Sequence, residues 1–259
     1  MLYNYHTHTT YCDGKSTAEE MVQKAIEHGL SELGFSGHSY TKFDLEPCMT
    51  REGTELYKKE INALKEKYKD KIKIFVGMEC EYFNEYYDEL KELLDSKKLD
   101  YLIFGNHYVA HKKGSIYTPG EIWGKEEYIY AYIERAKEAM ESKLFKVFAH
   151  PDFLYQFVNI WNEDIKNKFK EVLEIAKEND VAIEINLGGF RRGIKEFSDG
   201  KRYPFPYSPL WEIVKEVGNK VVIGVDSHNP KEFDNHEEYK LAIDFAKKHD
   251  IKIEERIEI

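Results

Sequence analysis

Residues 2–38, LYNYHTHTTYCDGKSTAEEMVQKAIEHGLSELGFSGH, decide the fold class, because two β-rich runs flank one helical segment. The flanking runs are LYNYHTH and ELGFSGH, whose aromatic and apolar residues favour short strands. The segment between them carries apolar residues at helical spacing, at positions Met21, Val22, Ala25 and Ile26. Ser16 and Thr17 with Glu19 and Glu20 are typical of a helix start, and Gly29, after Glu27 and His28, is typical of a helix end. The stretch therefore predicts a strand, a helix and a second strand.

The same alternation continues along the chain. Five more β-rich runs follow, namely IKIFVGMECEY (72–82), DYLIFGNHYV (100–109), KVFAHPD (146–152), VAIEINL (181–187) and VVIGVDSH (221–228). Strands that alternate with helices imply right-handed crossovers and a parallel sheet. Seven or eight such units in 259 residues fit a closed barrel better than an open doubly wound sheet, and no GxGxxG or GxxxxGK[ST] loop is present. We predict an α/β fold, a TIM-like barrel that forms a single domain over residues 1–259.

Composition narrows the classes of partner. The net charge of -10 argues against nucleic-acid binding through phosphates, which needs a dominant basic surface. No apolar run is long enough to cross a bilayer and no signal peptide is recognisable, so we expect a cytoplasmic protein without a membrane partner. The three cysteines form neither an even set nor a CxxC pair, which argues against disulfides and thiolate zinc sites. The oligomeric state is left open.

Polar residues cluster at the carboxyl ends of the predicted strands, where parallel barrels place their chemistry. Four pairs lie two residues apart, so each pair points to one face of its strand: His6 and His8, Glu79 and Glu81, His150 and Asp152, Asp226 and His228. His38 and His107 end two further strands. A lone strand-end histidine is more often bonded to backbone than to metal. Burying so many titratable groups together, however, is costly without a shared counter-charge, which favours a site for several Zn, Mn or Fe ions.

The motifs HTHTTYCDG, GFSGH, GMECEY, GNH, AHPD and GVDSH resemble the successive motifs of the PHP (polymerase and histidinol phosphatase) superfamily. Residues 57–94 resemble its histidinol-phosphatase branch in particular. The resemblance covers nearly the whole chain and implies a distorted (β/α)7 barrel with three divalent metal ions at the carboxyl mouth.

The resemblance also implies the ligands of each ion. One ion would be held by His6, His8, Glu79 and Asp226, a second by Glu79 as a bridge with His107 and His150, and a third by Asp13, His38 and His228. Gly14 would permit the turn that brings Asp13 back to the mouth. Glu81 shares a face with Glu79 and could replace it; Glu79 is preferred because it follows the Gly77–Met78 step, as the bridging glutamate of the family does.

The resemblance implies hydrolysis of a phosphomonoester by a metal-bridging hydroxide that attacks phosphorus in line, with Glu79 and Asp226 as catalytic residues. The leading substrate is L-histidinol phosphate, which would give L-histidinol and phosphate in histidine biosynthesis. Arg191 and Arg192 follow the sixth predicted strand, so at least one can reach the mouth and bind phosphate through its guanidinium fork. The alternative is an ordinary solvated basic loop. Relatives supply another basic residue after HPD, whereas FLYQFVN (153–159) has none.

Three other functions stay open. The first is a PHP phosphoesterase for another small phosphate ester, such as a nucleotide. The second is a metal-dependent amidohydrolase, although such enzymes usually need two metals and often a bridging lysine where this chain has His107. The third is a non-catalytic PHP domain, although every ligand position that we can identify is filled here.

Overall fold

A computed structural model describes residues 3–41, 47–110, 116–117 and 125–259. Seven parallel strands form one sheet in chain order, which we number β1 (Tyr3–Asn4), β2 (Glu32–Phe35), β3 (Lys73–Cys80), β4 (Tyr101–Phe104), β5 (Val147–Phe148), β6 (Ala182–Asn186) and β7 (Val221–Gly224). The sheet closes on itself just beyond β1 and β7. There the His8 N–H donates to the Ser227 carbonyl at 2.8 Å, and the Ser227 N–H donates to the His6 carbonyl at 3.1 Å. The predicted α/β barrel of seven strands is thus confirmed.

Helices connect the strands. They are α1 (Ala18–Glu27), α2 (Arg51–Lys67), α3 (Tyr87–Asp95), α4 (Glu126–Glu141), α5 (Glu163–Glu178), α6 (Leu187–Arg191), α7 (Ser208–Val217) and α8 (His236–Lys248). Short 3-10 turns span Asn84–Tyr86, Phe153–Gln156 and Pro230–Asp234. Two antiparallel hairpins pair Val109–Ala110 with Ile116–Tyr117 and Lys195–Phe197 with Gly200–Arg202. Within the described part of the chain, no helix combines the length and the apolar character needed to span a bilayer.

The ends of α1 agree with the signals in the sequence. The Thr17 hydroxyl accepts a hydrogen bond from the Glu20 N–H, and the Glu20 carboxylate accepts one from the Thr17 N–H at 2.8 Å. This reciprocal pair satisfies two backbone donors that have no partner within the helix. Gly29, just past the helix, has φ +70°, a conformation that glycine adopts without steric cost. The sequence thus sets both ends of α1.

The barrel has two apolar layers. The outer layer lies between strands and helices and includes Met21, Val22 and Ala25 of α1. The inner layer contains no helical residue and fills the barrel with inward-facing side chains, namely Tyr3, Tyr5, Phe75, Tyr101, Ile103, Val147, Ala149, Ala182 and Val222. Because strand side chains alternate, the next inward positions along the strands lie above this layer, at the carboxyl mouth.

Tyr101 occupies the centre of the inner layer. Its hydroxyl donates to the carbonyls of Tyr5 at 2.7 Å and Phe35 at 3.0 Å, so its ring reaches across from β4 to β1 and β2. A Cβ on Gly77 would lie 2.3 Å from the Tyr101 ring, and a Cβ on Gly34 2.3 Å from its hydroxyl. Glycine at both positions therefore makes room for this ring directly beneath the mouth.

Candidate metal centre

The nine predicted metal ligands form one continuous set of contacts at the carboxyl mouth. Within this set, four overlapping groups have ligand atoms that lie within 4.8 Å of one another: His8–Asp13–His38–His228, His6–Glu79–His150, His6–His8–Asp226 and His38–Glu79–His107. His6, His8, His38 and Glu79 each belong to two groups. The structure therefore brings all nine side chains together, while their division into three ligand sets stays a prediction.

Glu79 lies at the centre of the set. It is buried, and its Oε2 lies 3.2 Å from His6 Nε2, 3.4 Å from His8 Nε2 and 3.3 Å from His38 Nδ1. Its other oxygen, Oε1, lies 3.0 Å from His150 Nε2 and 3.5 Å from His107 Nε2. Each carboxylate oxygen thus faces a different set of imidazoles. This is the arrangement that a carboxylate bridging two cations requires.

Asp226 and Asp13 stand on either side of His8. Asp226 Oδ1 lies 3.4 Å from His6 Nε2 and 3.3 Å from His8 Nε2. Asp13 Oδ1 lies 3.5 Å from His8 Nδ1, and its Oδ2 lies 3.2 Å from His228 Nε2 and 3.7 Å from His38 Nε2. His8 therefore faces a carboxylate from each of its two ring nitrogens.

Gly14 allows the turn that presents Asp13. Its N–H donates to the Thr9 carbonyl at 3.0 Å, and a Cβ at this position would lie 2.5 Å from the Thr9 nitrogen. The requirement for glycine comes from this close backbone approach, since Gly14 does not have a positive φ.

The donor set fits divalent metal ions. The buried His8 Nε2 and His150 Nδ1 have no hydrogen-bond partner among the described residues, and His8 Nε2 faces two carboxylates. Ligands about 2.0–2.2 Å from a tetrahedral zinc ion are about 3.3–3.6 Å apart. Most nitrogen–oxygen distances in the set fall in or near this range, which is longer than a good hydrogen bond. These spacings match shared coordination better than direct hydrogen bonding.

The electrostatics of the mouth follow from burying carboxylates beside imidazoles. Burial alone would lower the pKa of His6, but the neighbouring Glu184, Asp226 and Glu79 raise it well above its usual value. Burial would likewise raise the pKa of Glu79, yet the surrounding histidines hold it well below its usual range. In the metal-free protein, protons on the imidazoles therefore supply the positive charge at the mouth that bound metal ions would otherwise supply.

Glu81 does not compete with Glu79 for the central position. Its Oε1 accepts from His107 Nδ1 at 2.7 Å, and its carboxylate also accepts from the backbone N–H of His107 at 3.2 Å. Burial, reinforced by the charge of Glu79, raises the pKa of Glu81 to about 8. Glu81 thus holds His107 from the side opposite to Glu79, and of these two glutamates only Glu79 also contacts His6, His8, His38 and His150.

Glu184 is a contact that the sequence analysis did not include in the site. It lies in β6, is 1% exposed, and accepts from His6 Nδ1 at 2.8 Å. In the sequence it is an isolated acid in the apolar run VAIEINL, two residues before Asn186. That spacing of two residues places both side chains on the inner face of the barrel. It is the feature of the sequence that could have indicated a place for Glu184 in the site.

The two arginines after β6 differ in position. Arg191 donates to the carbonyls of Val225 at 2.7 Å and Asp226 at 3.3 Å, and pairs with Glu238 at 3.2 Å. Arg192 instead lines the metal-site cavity. The contacts of Arg191 tie it to the chain that carries Asp226, which argues against the phosphate-binding role expected for it and leaves Arg192 as the candidate.

Asp152, paired with His150 in the sequence pattern, has a structural role. Its carboxylate accepts from the Tyr207 N–H at 2.5 Å and from Trp211 Nε1 at 2.8 Å. It is fully buried with these two donors, which fix the start of α7 against the chain after β5. Spacing of two residues therefore did not bring this acid into the site, because His150 has φ +30° and the strand has already ended.

The cavity over the ligands has a volume of about 480 Å³, within the range of small-molecule sites. Seven ligands form its floor, and its walls include Cys48, Tyr108, Phe153, Phe157 and Arg192. An adjoining groove of about 870 Å³ shares Phe157 and Arg192 with it. The arrangement can therefore hold an anionic group over the ligands and a larger substituent beside it.

Comparison with known proteins finds relatives that match most of this chain. The model of the PHP domain family matches residues 4–187. The chain is 28% identical over 240 residues to the histidinol-phosphatase of Lactococcus lactis subsp. lactis, covering 88% of this chain and 84% of that protein. It is 24% identical over 256 residues to the histidinol-phosphatase of Bacillus subtilis, covering 86% and 92%.

A solved structure shares the fold. The histidinol phosphate phosphatase of Lactococcus lactis subsp. lactis, in complex with zinc, L-histidinol and phosphate, aligns with a TM-score of 0.68 and 23% sequence identity, covering 97% of this chain and 94% of that one. These relatives agree with the histidinol-phosphatase branch indicated by the sequence motifs. Since the family model spans well over half of its length, the chain belongs to the PHP domain family.

Proposed function

We propose that this chain is a metal-dependent histidinol-phosphatase that hydrolyses L-histidinol phosphate to L-histidinol and phosphate. The observation that carries the proposal is the position of Glu79, whose two oxygens face separate sets of histidines on the floor of a cavity of substrate size. The names of the Lactococcus and Bacillus relatives point to this substrate.

The proposed centre holds three divalent ions. His6, His8, Glu79 and Asp226 would hold the first, Glu79, His107 and His150 the second, and Asp13, His38 and His228 the third. Zinc, manganese and iron all suit such mixed imidazole and carboxylate ligands. When bound, the ions would supply Lewis-acid stabilisation of phosphoryl charge and lower the pKa of water at the site.

The residues around the ligands would orient the substrate. Arg192 presents a guanidinium that can bind phosphate in a bidentate manner, and its stacking on Phe205, with its charge 5.1 Å from the ring centre, restricts where that fork points. Glu81 holds the His107 ring by its Nδ1, which leaves Nε2 directed towards Glu79. Phe153 and Phe157 give one side of the cavity an apolar lining.

The adjoining groove suggests where the alcohol part of the substrate lies. A phosphate placed over the ligands and beside Arg192 would direct its ester oxygen past Phe157 towards this groove. The groove offers apolar surface from Ile160, Phe197 and Pro204 together with charged Lys195 and Glu196. This mixed lining suits an alcohol with both a ring and a charged amine.

Phosphate release from a panel of monoesters tests the proposal. The protein is purified without chelator, its metals are counted per chain, and histidinol phosphate is compared with nucleoside monophosphates and sugar phosphates at equal concentration. We expect kcat/KM to be highest for histidinol phosphate. Preference for a nucleotide would replace the substrate but keep the reaction, whereas no phosphate release from any ester by metal-loaded protein would reject the function.

A further inference from the structure

We propose that Glu184 is a positioning residue that links ligands of two metal ions, a role that rests on the proposed metal-dependent function. Its carboxylate makes three short polar contacts. Oε1 accepts from His6 Nδ1 at 2.8 Å, while Oε2 accepts from the His150 backbone N–H at 3.1 Å and from Asn186 Nδ2 at 2.8 Å. Each contact leads to a different predicted ligand.

The contact with His6 fixes the state of its ring. A carboxylate only accepts, so His6 Nδ1 carries the hydrogen and, in the neutral ring, Nε2 keeps a free lone pair. That lone pair points to Glu79 Oε2 at 3.2 Å and Asp226 Oδ1 at 3.4 Å. A carboxylate behind a metal-binding imidazole both orients the ring and makes it a stronger ligand.

The contact with His150 fixes backbone. His150 has φ +30°, which is unfavourable for a residue with a side chain and needs support from its surroundings. The hydrogen bond from its N–H to Glu184 supplies that support exactly where the chain leaves β5. The turn directs His150 Nε2 to Glu79 Oε1 at 3.0 Å.

The third contact extends to Asp226. Asn186 Nδ2 donates to Glu184 and also lies 3.2 Å from Asp226 Oδ2, which leaves Asp226 Oδ1 facing His6 and His8. Glu184 thereby reaches His6 and Asp226 of the first proposed ion and His150 of the second. No other described carboxylate outside the ligand set contacts residues from both.

The barrel reserves space for this side chain. A Cβ on Gly224, which faces β6 from β7, would lie 1.7 Å from Glu184 Oε1. Among the described residues, no lysine or arginine pairs with Glu184, whose only ion-pair partner is His6. Burying a carboxylate is costly without positive charge nearby, which at this position can come from His6 and from metal ions at the mouth.

Zinc affinity measured by competition with a chromophoric chelator tests this role on the full chain. Glu184→Gln keeps the size of the side chain but replaces one acceptor oxygen by a donor, so it cannot serve both His6 and the His150 N–H. We expect zinc affinity about 10–100-fold lower for the sites that include His6 and His150, and an altered visible spectrum of the cobalt-loaded protein. Asp100→Asn is the matched control.

Asp100 binds the Val76 N–H and Lys65 at the opposite end of the barrel, so its variant should change the unfolding temperature but not zinc affinity. If Glu184→Gln does not fold, Glu184→Asp carries the test, because it keeps the charge but is too short to reach both partners. Wild-type zinc affinity in the folded variant would overturn the role of Glu184. The titration uses no substrate, so a failure of the proposed substrate would leave this result standing.

Discussion

Gly105 makes room for the carboxylate of Glu79. A Cβ at position 105 would lie 2.3 Å from Glu79 Oε1 and 2.6 Å from the ring of His107. The GNH motif at the end of β4 thus combines a ligand, His107, with a residue whose missing side chain admits the central acid from the neighbouring strand β3.

Gly105→Ala is therefore expected to displace Glu79. The extra methyl overpacks a buried site, at a cost of about 1–3 kcal/mol in the free energy of unfolding. Metal content per chain and phosphatase activity should both fall, since Glu79 contacts five of the predicted histidine ligands, namely His6, His8, His38, His107 and His150. Gly53→Ala in the first turn of α2 is the control, and equal metal content in the two variants would contradict the role given to Gly105.

His107→Ala should abolish most turnover while the barrel stays folded, because His107 lies at the rim of the mouth and is 19% exposed. We expect kcat/KM to fall by about 10²–10³-fold or more, the loss typical of removing one group that stabilises transition-state charge. His236→Ala, an exposed histidine at the start of α8, should keep wild-type rates. Near-normal turnover of His107→Ala would discard the mechanism.

Arg192 and Arg191 should give different defects. Arg192→Ala is expected to weaken inhibition by inorganic phosphate and to lower kcat/KM by about 10–100-fold, the value of charge-assisted hydrogen bonds. Arg192→Lys should recover only part of the lost phosphate affinity and kcat/KM, since an ammonium group lacks the planar fork of a guanidinium. Arg191→Ala should mainly lower the unfolding temperature. A larger loss of phosphate affinity in Arg191→Ala would reverse this assignment.

Zinc binding should release protons and strengthen as pH rises. The neighbouring carboxylates, acting against burial, raise the pKa of His6 and of His8 well above the usual value, so the metal-free protein carries protons on ligand nitrogens near neutral pH. Zinc must displace these protons. Calorimetry in buffers of different ionisation enthalpy should therefore show net proton release. Binding without proton release near neutral pH would mean that these imidazoles are already neutral.

The same raised pKa values predict how the metal-free protein responds to pH. A histidine with a pKa above its unfolded value stabilises the fold below the unfolded pKa, and this stability is lost as pH rises through the folded pKa. The free energy of unfolding in chelator should therefore fall from neutral to alkaline pH. Zinc should remove most of that dependence, and a curve that rises with pH would contradict this explanation.

The sequence was sufficient for the barrel and for the convergence of the ligands, because strand alternation fixes which side chains share a face. It could not separate Arg191 from Arg192. Arg191 is the last residue of the short helix α6 and Arg192 follows it directly, and one residue of advance in a helical turn rotates a side chain by about 100°. Whether a side chain then meets the cavity or Glu238 depends on α8, far along the chain.

Glu184 escaped the sequence analysis for a related reason. The role of a single acid in a buried strand depends on the residues that it contacts from other strands. For Glu184 these are Gly224 on β7 and His6 beyond β1, which are distant in sequence. Asp152 shows the reverse case. Its spacing from His150 suggested that both side chains face the site, but the turn at His150 directs the Asp152 carboxylate to Trp211 instead.

Tyr101 gives the chemistry a direction. Its ring fills the space between the described strands beneath Glu79. Reactants and products would therefore both pass through the carboxyl mouth. The product that lies nearer the mouth would then leave first. With phosphate bound deepest, the alcohol would leave before it, and accumulated phosphate would be the product that inhibits the next turnover.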